Sequence, residues 1–364
     1  MRAVIFNPYG IGDVLFSLPV VSALKVKFSS EHTTFICNRR SAQVIENHPH
    51  IDKVIIYEKS EIEKKTLKGL FQYHNLIKEI KSSKANIAID VTLNRKLSSL
   101  LFLAGIPKRI GFNYKNRGTF LNKKVPLKEF EKNIALEYFR LIDAEFPNHN
   151  INPANLRPRI YLTDKEKAFA QNLLYNLGIE TKKIISVFPG GGASWGKYKG
   201  KRLWPREKFI ELIDRIIKAF PSCAVLIIGD KSDGQYLSIN KLFSKYGNRV
   251  VNLCGKLSLR ESLSLVACSS LAVSNDGGPA HMSAALGVSL ISMMGPVPED
   301  IYAPFCEPHK IKIITNDIEC RPCYRAFSMP QCQLNYACIK EIPVDLVFNA
   351  VKDKINAPDS VPNT

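Results

Sequence analysis

The chain has 364 residues, more than one ordinary hydrophobic core accommodates, so two domains are expected. Hydrophobic residues make up 45% of the chain, and no apolar run is long enough to predict a membrane-spanning helix. The 51 lysines and arginines against 33 acidic residues leave a net charge of +18, which indicates either a polyanionic neighbour or a generally charged surface.

The first residues, MRAVIF, predict a buried strand that runs through a short turn into a helix ending at Phe28. This start lacks the charged and apolar segments of a secretory leader, so we expect a cytoplasmic protein. Strand, Gly-x-Gly and helix suggest the dinucleotide site of a dehydrogenase, but Leu15 stands where the third glycine of that fingerprint belongs. Asp13, which follows Gly12, is by itself typical of a first-turn acid in a helix.

Strands and helices then alternate up to residue 144. Strands are predicted at residues 33–37, 54–56, 87–90 and 109–112, and helices at residues 67–82, 97–104 and 129–144. Such alternation implies a parallel, doubly wound α/β sheet. Residues 115–124, with Lys115 and Arg117 among their basic side chains, would form a loop near the strand ends. That loop is either a cradle for a phosphorylated acceptor or a solvated surface loop.

The best domain boundary is the segment FPNHNINPANLRPR at residues 146–159, which is rich in proline and asparagine. A capping box at Thr163 then starts a new helix. We therefore predict one Rossmann-like domain over residues 1–155, a second over residues 156–340, and a C-terminal helix with its tail over residues 341–364.

A glycine run follows a buried strand at residues 184–188, in the sequence PGGGASW. Such a run presents free backbone donors that suit a phosphate, and nearby polar and basic side chains add further donors. The residues concerned are Gly191, Gly192, Ser194, Lys201 and Arg202. The order Gly-Lys-Ser/Thr of a P-loop is missing, so a nucleoside triphosphatase is not predicted. The alternative is a flexible surface loop.

Residues 271–298 predict one tight βαβ unit, with a strand at 271–274, a helix at 279–286 and a strand at 288–293. Its first turn contains Asp276, Gly277 and Gly278, and the two glycines permit a ligand to approach the backbone closely.

The amides of Gly277, Gly278, Ala280 and His281 would cluster at the start of this helix and bind an anion. Asp276 would lie beside them and accept hydrogen bonds from hydroxyl groups. The alternative is a structural turn with an aspartate N-cap and a buried histidine.

Four of the nine cysteines lie near the end of the chain, at Cys320, Cys323, Cys332 and Cys338. The first pair has the spacing of zinc ligands, whereas the second pair does not match well. Either a structural zinc site or a loose group of reduced thiols is consistent with this pattern. Disulfides are not expected in a cytoplasmic chain.

Four blocks of this sequence, in this order, resemble the ADP-heptose:lipopolysaccharide heptosyltransferase family, which is glycosyltransferase family 9. They are Gly12-Asp13-Val14-Leu15 with Pro19, the Pro-Gly loop that starts at Pro189, the Trp204-Pro205 block, and Asp276-Gly277-Gly278-Pro279-Ala280-His281 with Gly295-Pro296. The resemblance covers nearly the whole chain. It implies the GT-B architecture, in which two Rossmann-like domains face a central cleft.

The resemblance also implies an inverting transfer of heptose from ADP-heptose to a phosphorylated lipid A–core acceptor. Asp13 would be the catalytic base. The donor would bind the residues of the glycine run and of the Asp276–His281 block, and the acceptor would bind near Gly12, Lys115 and Arg117. The segment before Trp204 is longer than the family pattern, which leaves open whether Lys201 or Arg202 contacts the diphosphate.

We expect no cofactor, because no pair of the type Asp-x-Asp follows a strand in a suitable place to hold a metal. Nucleic acid is not an expected partner, since no basic run is dense enough. Peripheral contact with the inner membrane surface is expected. Two rival functions stay open: a transferase of the same fold that uses another nucleotide sugar, and a non-catalytic sugar-nucleotide-binding protein. The exact sugar, the nucleotide base, the acceptor hydroxyl and the oligomeric state are left undecided.

Overall fold

A computed structural model describes residues 1–62, 66–181, 183–191, 200–233 and 244–356. The chain divides into two compact units, Met1–Tyr161 and Leu162–Thr364. No helix in the described ranges is both long and apolar enough to cross a membrane.

The described part of the first unit contains a six-stranded parallel sheet with spatial order β3-β2-β1-β4-β5-β6. Its strands are β1 (Arg2–Phe6), β2 (His32–Cys37), β3 (Lys53–Ile56), β4 (Ile87–Asp90), β5 (Lys108–Tyr114) and β6 (Lys123–Leu127). The order changes direction between β1 and β4. In such sheets the crevice outside the carboxyl ends of these two strands is where ligands bind.

Helices connect these strands and cover the sheet. They are α1 (Ile11–Phe16), α2 (Leu18–Val26), α3 (Arg39–Ala42), α4 (Lys59–Ile62), α5 (Leu67–Ser82), α6 (Arg95–Leu103) and α7 (Ile134–Glu145), followed by a 3-10 turn at Pro153–Asn155. On one face, Val4, Phe6 and Ala88 of the strands pack with Leu76 and Leu100 of α5 and α6.

The second unit repeats the design, with a six-stranded parallel sheet in the order β12-β11-β10-β7-β8-β9. Its strands are β7 (Lys183–Phe188), β8 (Cys223–Ile227), β9 (Val250–Asn252), β10 (Leu271–Asn275), β11 (Ser289–Met293) and β12 (Ile311–Ile314). Here the order changes direction between β7 and β10, so the predicted crevice lies outside the carboxyl ends of those strands.

The helices in the described part of the second unit cover both faces of this sheet. They are α8 (Asp164–Asn176), α9 (Arg206–Ala219), α10 (Leu259–Ala267), α11 (Gly278–Ala285), α12 (Glu299–Tyr302), α13 (Ala337–Lys340) and α14 (Val344–Asn356), with 3-10 turns at Ser244–Arg249 and Pro308–Lys310.

Alternate residues of each strand in the second unit enter opposite cores, as the two-residue period of a strand requires. Ile185 and Val187 of β7 pack with α9 and with Val347 of the last helix α14. Ile184 and Phe188 pack on the other face with residues of α8, α10 and α11. The two-sided burial confirms the predicted doubly wound α/β fold.

Three details of the first unit differ from the sequence prediction. The first is the helix expected to run to Phe28, which is broken at Ser17 into α1 and α2. Pro19 lies in the first turn of α2 and has no amide to donate, which favours a new helix start. Ser17 Oγ accepts a hydrogen bond from Asn7 Nδ2 at 2.7 Å, which holds the break beside β1.

The other two differences lie further along the first unit. Residues 123 and 124 were placed in a loop, but they begin the edge strand β6, where Pro126 is tolerated. The helix predicted from residue 129 begins only at Ile134, capped by the Asn133 side chain. Its delayed start leaves the amides of residues 131 and 132 to bond the buried Glu137 carboxylate instead.

Candidate active site

The end of β1 and the first turn of α1 hold Asp13 at the strand-order reversal of the first sheet. Asn7, the residue after β1, is fully buried, and its Nδ2 donates to the Asp13 carbonyl at 2.8 Å. The Gly10 amide donates to Asp13 Oδ2 at 3.0 Å. The turn thereby fixes both the backbone and the carboxylate of Asp13 beside the predicted crevice.

The Asp13 carboxylate is half-buried. Burial raises its pKa from 3.8 to about 6, and the hydrogen bonds from the backbone oppose this shift without cancelling it. At pH 7 the group is mostly ionised, yet it is a stronger base than an ordinary carboxylate. Such a group suits proton abstraction near neutral pH.

Tyr9 lies close to both Asp13 and Asp90. Asp90 ends β4, and its buried carboxylate accepts bonds from the Thr92 amide at 2.8 Å and from Ser98 Oγ at 2.5 Å. The Tyr9 hydroxyl donates to the Thr92 carbonyl. Burial raises the pKa of Tyr9, and the charges of Asp90 and Asp13 raise it further, so the phenol stays protonated and acts as a donor.

The predicted acceptor residues Lys115 and Arg117 follow β5 at the same carboxyl edge. Both cations face the ring of Tyr114, with Lys115 Nζ 5.1 Å and Arg117 Cζ 5.7 Å from its centroid. Arg117 is also close enough to lower the pKa of Tyr9. Arg117 thus shares a neighbour with Asp13. Gly12 lies in the turn beside Asp13 and is half-buried. Acceptor binding by these residues stays a prediction.

In the second unit, Gly191 after β7 and Gly277 after β10 meet at the other strand-order reversal. A Cβ atom added to Gly277 would lie 2.5 Å from the Gly191 carbonyl oxygen. The φ of Gly277 is +148°, which also favours glycine. The two glycines therefore allow the two loops to touch, directly in front of helix α11.

We expect Gly277→Ala to destabilise the second unit by about 1–3 kcal/mol and to weaken nucleotide binding, because the new methyl group must displace the Gly191 backbone. Gly200→Ala is the control, since a Cβ there meets open space. Urea unfolding and calorimetric titration with ADP measure the two effects. Equal effects of the two substitutions would contradict the close-approach argument.

Asp276 and Arg202 are buried and in direct contact, with side chains only 4% and 3% exposed. Burial lowers the pKa of Arg202, while the neighbouring Tyr324 and Tyr302 raise it. A guanidinium against a carboxylate keeps its proton at pH 7. The charged pair therefore joins the start of the turn that carries Gly277 to the segment before Trp204.

Asn275 and Trp204 hold this pair in place. Asn275 is fully buried; its Nδ2 donates to the Pro189 carbonyl at 2.8 Å, and its Oδ1 accepts from the Trp204 amide at 2.9 Å. Trp204 is also fully buried and donates from Nε1 to the Ile342 carbonyl at 2.9 Å. The Trp-Pro block is thus an anchor that sets the position of Arg202, two residues earlier in the chain.

His281 lies in the first turn of α11 and is only 8% exposed. Burial lowers its pKa to about 3, with a further contribution from Arg202, so the imidazole is neutral at pH 7. Its backbone amide bonds to the Gly277 carbonyl at 3.3 Å, which removes one of the four donors predicted for an anion. Gly277 and Gly278, the other predicted residues of this turn, are buried beside it.

The remaining donor residues are placed as follows. Lys201 is half-buried, and its Nζ lies 5.6 Å from the centroid of the Tyr336 ring, whereas Arg202 points into the buried pair with Asp276. Gly192 and Ser194 lie outside the described residues. Which cation contacts a diphosphate stays a prediction.

The four C-terminal cysteines are near one another, since Cys320, Cys323 and Cys332 all raise the pKa of Cys338, after burial as the main cause. Their sulfurs are free of disulfides. Within the part of the chain that the structure describes, no three His, Cys, Asp or Glu side chains are arranged to hold a metal ion.

Sequence reasoning did not identify several residues that shape these sites. Asn7 and Asn275 are polar residues directly after a strand or at its end, a position that could have marked them. Tyr302 and Tyr324 face Arg202 and pack against each other with ring centroids 5.5 Å apart. They are far from Arg202 in sequence, and no pattern near them points to it.

A model of the family described as glycosyltransferase family 9 (heptosyltransferase) matches residues 73–333. Lipooligosaccharide heptosyltransferase 2 of Campylobacter jejuni is 23% identical over 362 residues, which are 98% of this chain and 100% of that protein. These sequence similarities span both units.

Two solved structures share the fold. ADP-heptose lps heptosyltransferase II of E. coli is 18% identical, with 98% of each chain covered and a TM-score of 0.74. The glycosyl transferase family 9 protein of Veillonella parvula is 19% identical, with 97% of each chain covered and a TM-score of 0.79. At this level of identity the likeness establishes the fold, which is the predicted GT-B type.

Proposed function

The chain belongs to glycosyltransferase family 9, the heptosyltransferase family, and we propose that it transfers heptose from ADP-heptose to a lipopolysaccharide core acceptor with inversion of the anomeric centre. The names of two similar proteins support the sugar and the acceptor class: one is a lipooligosaccharide heptosyltransferase and the other an ADP-heptose heptosyltransferase. The observation that carries the mechanism is the half-buried Asp13 at the strand-order reversal of the first sheet.

In the proposed step, one oxygen of the Asp13 carboxylate takes the proton of an acceptor hydroxyl. The hydroxyl oxygen attacks the anomeric carbon from the side opposite the diphosphate. A new C–O bond forms as the bond to the diphosphate breaks, and ADP leaves with the electron pair. The raised pKa of Asp13 supports this role, because a base works best when its pKa is near the operating pH.

The diphosphate is proposed to bind at the start of α11. The amide of Gly278 and the positive end of the helix dipole would face it, with Arg202 as a nearby buried cation. Fixed donors and cations of this kind stabilise a leaving group as its charge develops. Transfer is therefore proposed to proceed without a divalent metal.

The nucleotide preference is tested by calorimetric titration with ADP, GDP, UDP and NAD, with and without EDTA. We expect selective binding of ADP that EDTA does not change. Selective binding of UDP or GDP would mean that the donor is a different nucleotide sugar. The assignment as a transferase would still stand. Binding that EDTA abolishes would contradict the metal-free site.

A non-catalytic nucleotide-sugar-binding protein is the second candidate. The retained Asp13, Asp276 and His281 argue against it, because a site that no longer catalyses should have lost some of these side chains. Binding of ADP without any transfer to a competent acceptor would favour this candidate.

A further inference from the structure

Three large apolar side chains at the start of α5 are exposed. The exposed fractions are 87% for Leu67, 67% for Leu70 and 66% for Phe71. Their spacing, i, i+3 and i+4, places them together on one face of the helix. We refer to Leu67, Leu70 and Phe71 as the α5 tip.

The fold does not need this exposure. Further along α5, Leu76 and Ile80 are buried in the core of the first unit, and the Thr66 side chain caps the helix by accepting from the Gly69 amide at 3.2 Å. The same outer face becomes polar after the tip, with His74 and Lys78 exposed. Apolar exposure is thus confined to the first two turns of a well-anchored helix.

The α5 tip lies at the carboxyl edge of the first sheet. Strand β3 ends at Ile56, and α4 and then α5 follow it, so α5 starts at the edge where β3 ends. All strands of this sheet are parallel, and Asp13, Asp90 and Arg117 therefore belong to the same edge. The exposed apolar side chains and the proposed acceptor side of the site share one end of the unit.

Exposed cations lie along this edge. Besides Lys68 within the tip, exposed lysines or arginines follow five of the six strands: Arg39, Lys59, Arg95, Lys96, Lys115, Arg117 and Lys128. The exposed acidic residues of the same described segments are fewer: Glu61, Glu129 and Glu131. An apolar tip beside an edge that carries many exposed cations is the pattern of an interfacial membrane contact.

We propose that the α5 tip inserts into the interfacial region of an anionic bilayer, with the cations of the same sheet edge at the lipid headgroups. The charge pattern is complementary to such a surface, where each nearby lysine or arginine adds to binding. A stable dimer buries about 800 Å² on each partner, which three side chains do not provide. The inference rests on the proposed function, because a lipid-borne acceptor would then meet the Asp13 edge at the membrane.

The test compares vesicle flotation of the wild-type chain with that of L67Q/L70Q/F71Q, using phosphatidylglycerol-containing and pure phosphatidylcholine vesicles. The control is L103Q/Y175Q/L346Q, which removes two leucines and one aromatic residue that are 51%, 81% and 51% exposed elsewhere. We expect wild type and control to bind the anionic vesicles, and the α5 variant to bind at least tenfold more weakly. Added salt should weaken wild-type binding.

Three results would overturn the proposal: no binding of wild type to anionic vesicles, equal binding of the α5 variant, or an equal loss in the control. A change of the α5 variant from dimer to monomer in sedimentation without vesicles would instead assign the tip to self-association. ADP affinity and transfer to a short, lipid-free acceptor should be the same in all three proteins. A wild-type chain that neither binds ADP nor transfers heptose to this acceptor would contradict the proposed function, whatever the vesicles show.

Discussion

Replacing Asp13 with asparagine should lower the turnover number of heptose transfer by about 10³-fold, because the acceptor hydroxyl then has no base to take its proton. The amide oxygen of asparagine can still accept the bond that Gly10 donates at 3.0 Å, so the turn should keep its shape. ADP affinity should stay within twofold, since the predicted donor residues lie in the other unit. Initial rates at saturating donor and acceptor measure the effect.

The control is Asp164→Asn, which neutralises another first-turn carboxylate, an exposed one at the start of α8. It should leave the rate within twofold. A D13N protein that retains more than a tenth of the wild-type rate would contradict the assignment of Asp13 as the base.

The pH profile follows from the same carboxyl group. Because its pKa is about 6 in the folded chain, the rate should fall about tenfold per pH unit below 6 as the base becomes protonated. The same pKa shift affects the free energy of unfolding. Because the pKa of Asp13 is higher in the folded chain than the unfolded value of 3.8, ionisation of its carboxyl group destabilises the folded chain. The folded chain therefore loses stability as the pH rises from 4 to 6.

The D13N variant should accordingly be about 1–2 kcal/mol more stable than wild type at pH 7, and about equal to it at pH 4. A variant that is less active and also less stable at pH 7 would point to a structural role.

Replacing Arg202 with methionine should destabilise the second unit by about 3–5 kcal/mol, because it leaves the Asp276 carboxylate buried without its partner. Adding Asp276→Leu to the same chain should recover most of this loss, since the buried charge is then gone. Neither variant should bind ADP as tightly as wild type. Urea unfolding followed by tryptophan fluorescence reports this unit, because both tryptophans, Trp195 and Trp204, belong to it.

The matched control is Lys167→Met, which breaks the exposed pair with Asp164 at 3.0 Å. Exposed pairs contribute little, so its effect should stay below about 0.5 kcal/mol. An Arg202→Met protein as stable as this control would show that Asp276 does not depend on the guanidinium. A double variant as unstable as the single one would show that the loss arises from packing.

Local signals in the sequence were enough for most elements. Strand β4 and helix α5 have the predicted bounds, because a short apolar run marks the strand and helical periodicity between polar residues marks the helix. Residues 123 and 124, which begin strand β6, were placed in the loop together with the basic residues before them. The break at Ser17 depends on a contact with Asn7 across the turn, which periodicity does not reveal.

The site shows the same limit. The turn from Asp276 to His281 was recognisable, because glycines before a helix have a local conformational meaning. The partner of Asp276 could not be recognised in the same way. Arg202 is brought to Asp276 by the buried Trp204 and by Asn275 on β10. Such contacts depend on how distant segments pack, and one sequence without its fold does not specify them.

The most direct measurement incubates the chain with ADP-heptose and a lipid A–core acceptor, in EDTA, and determines the product by mass spectrometry and NMR. The account predicts release of ADP and one heptose added to the acceptor, with the anomeric configuration opposite to that of the donor. Retention of configuration, or a requirement for divalent metal, would contradict the mechanism. No transfer of heptose, under conditions where another nucleotide sugar is used, would contradict the assigned substrate.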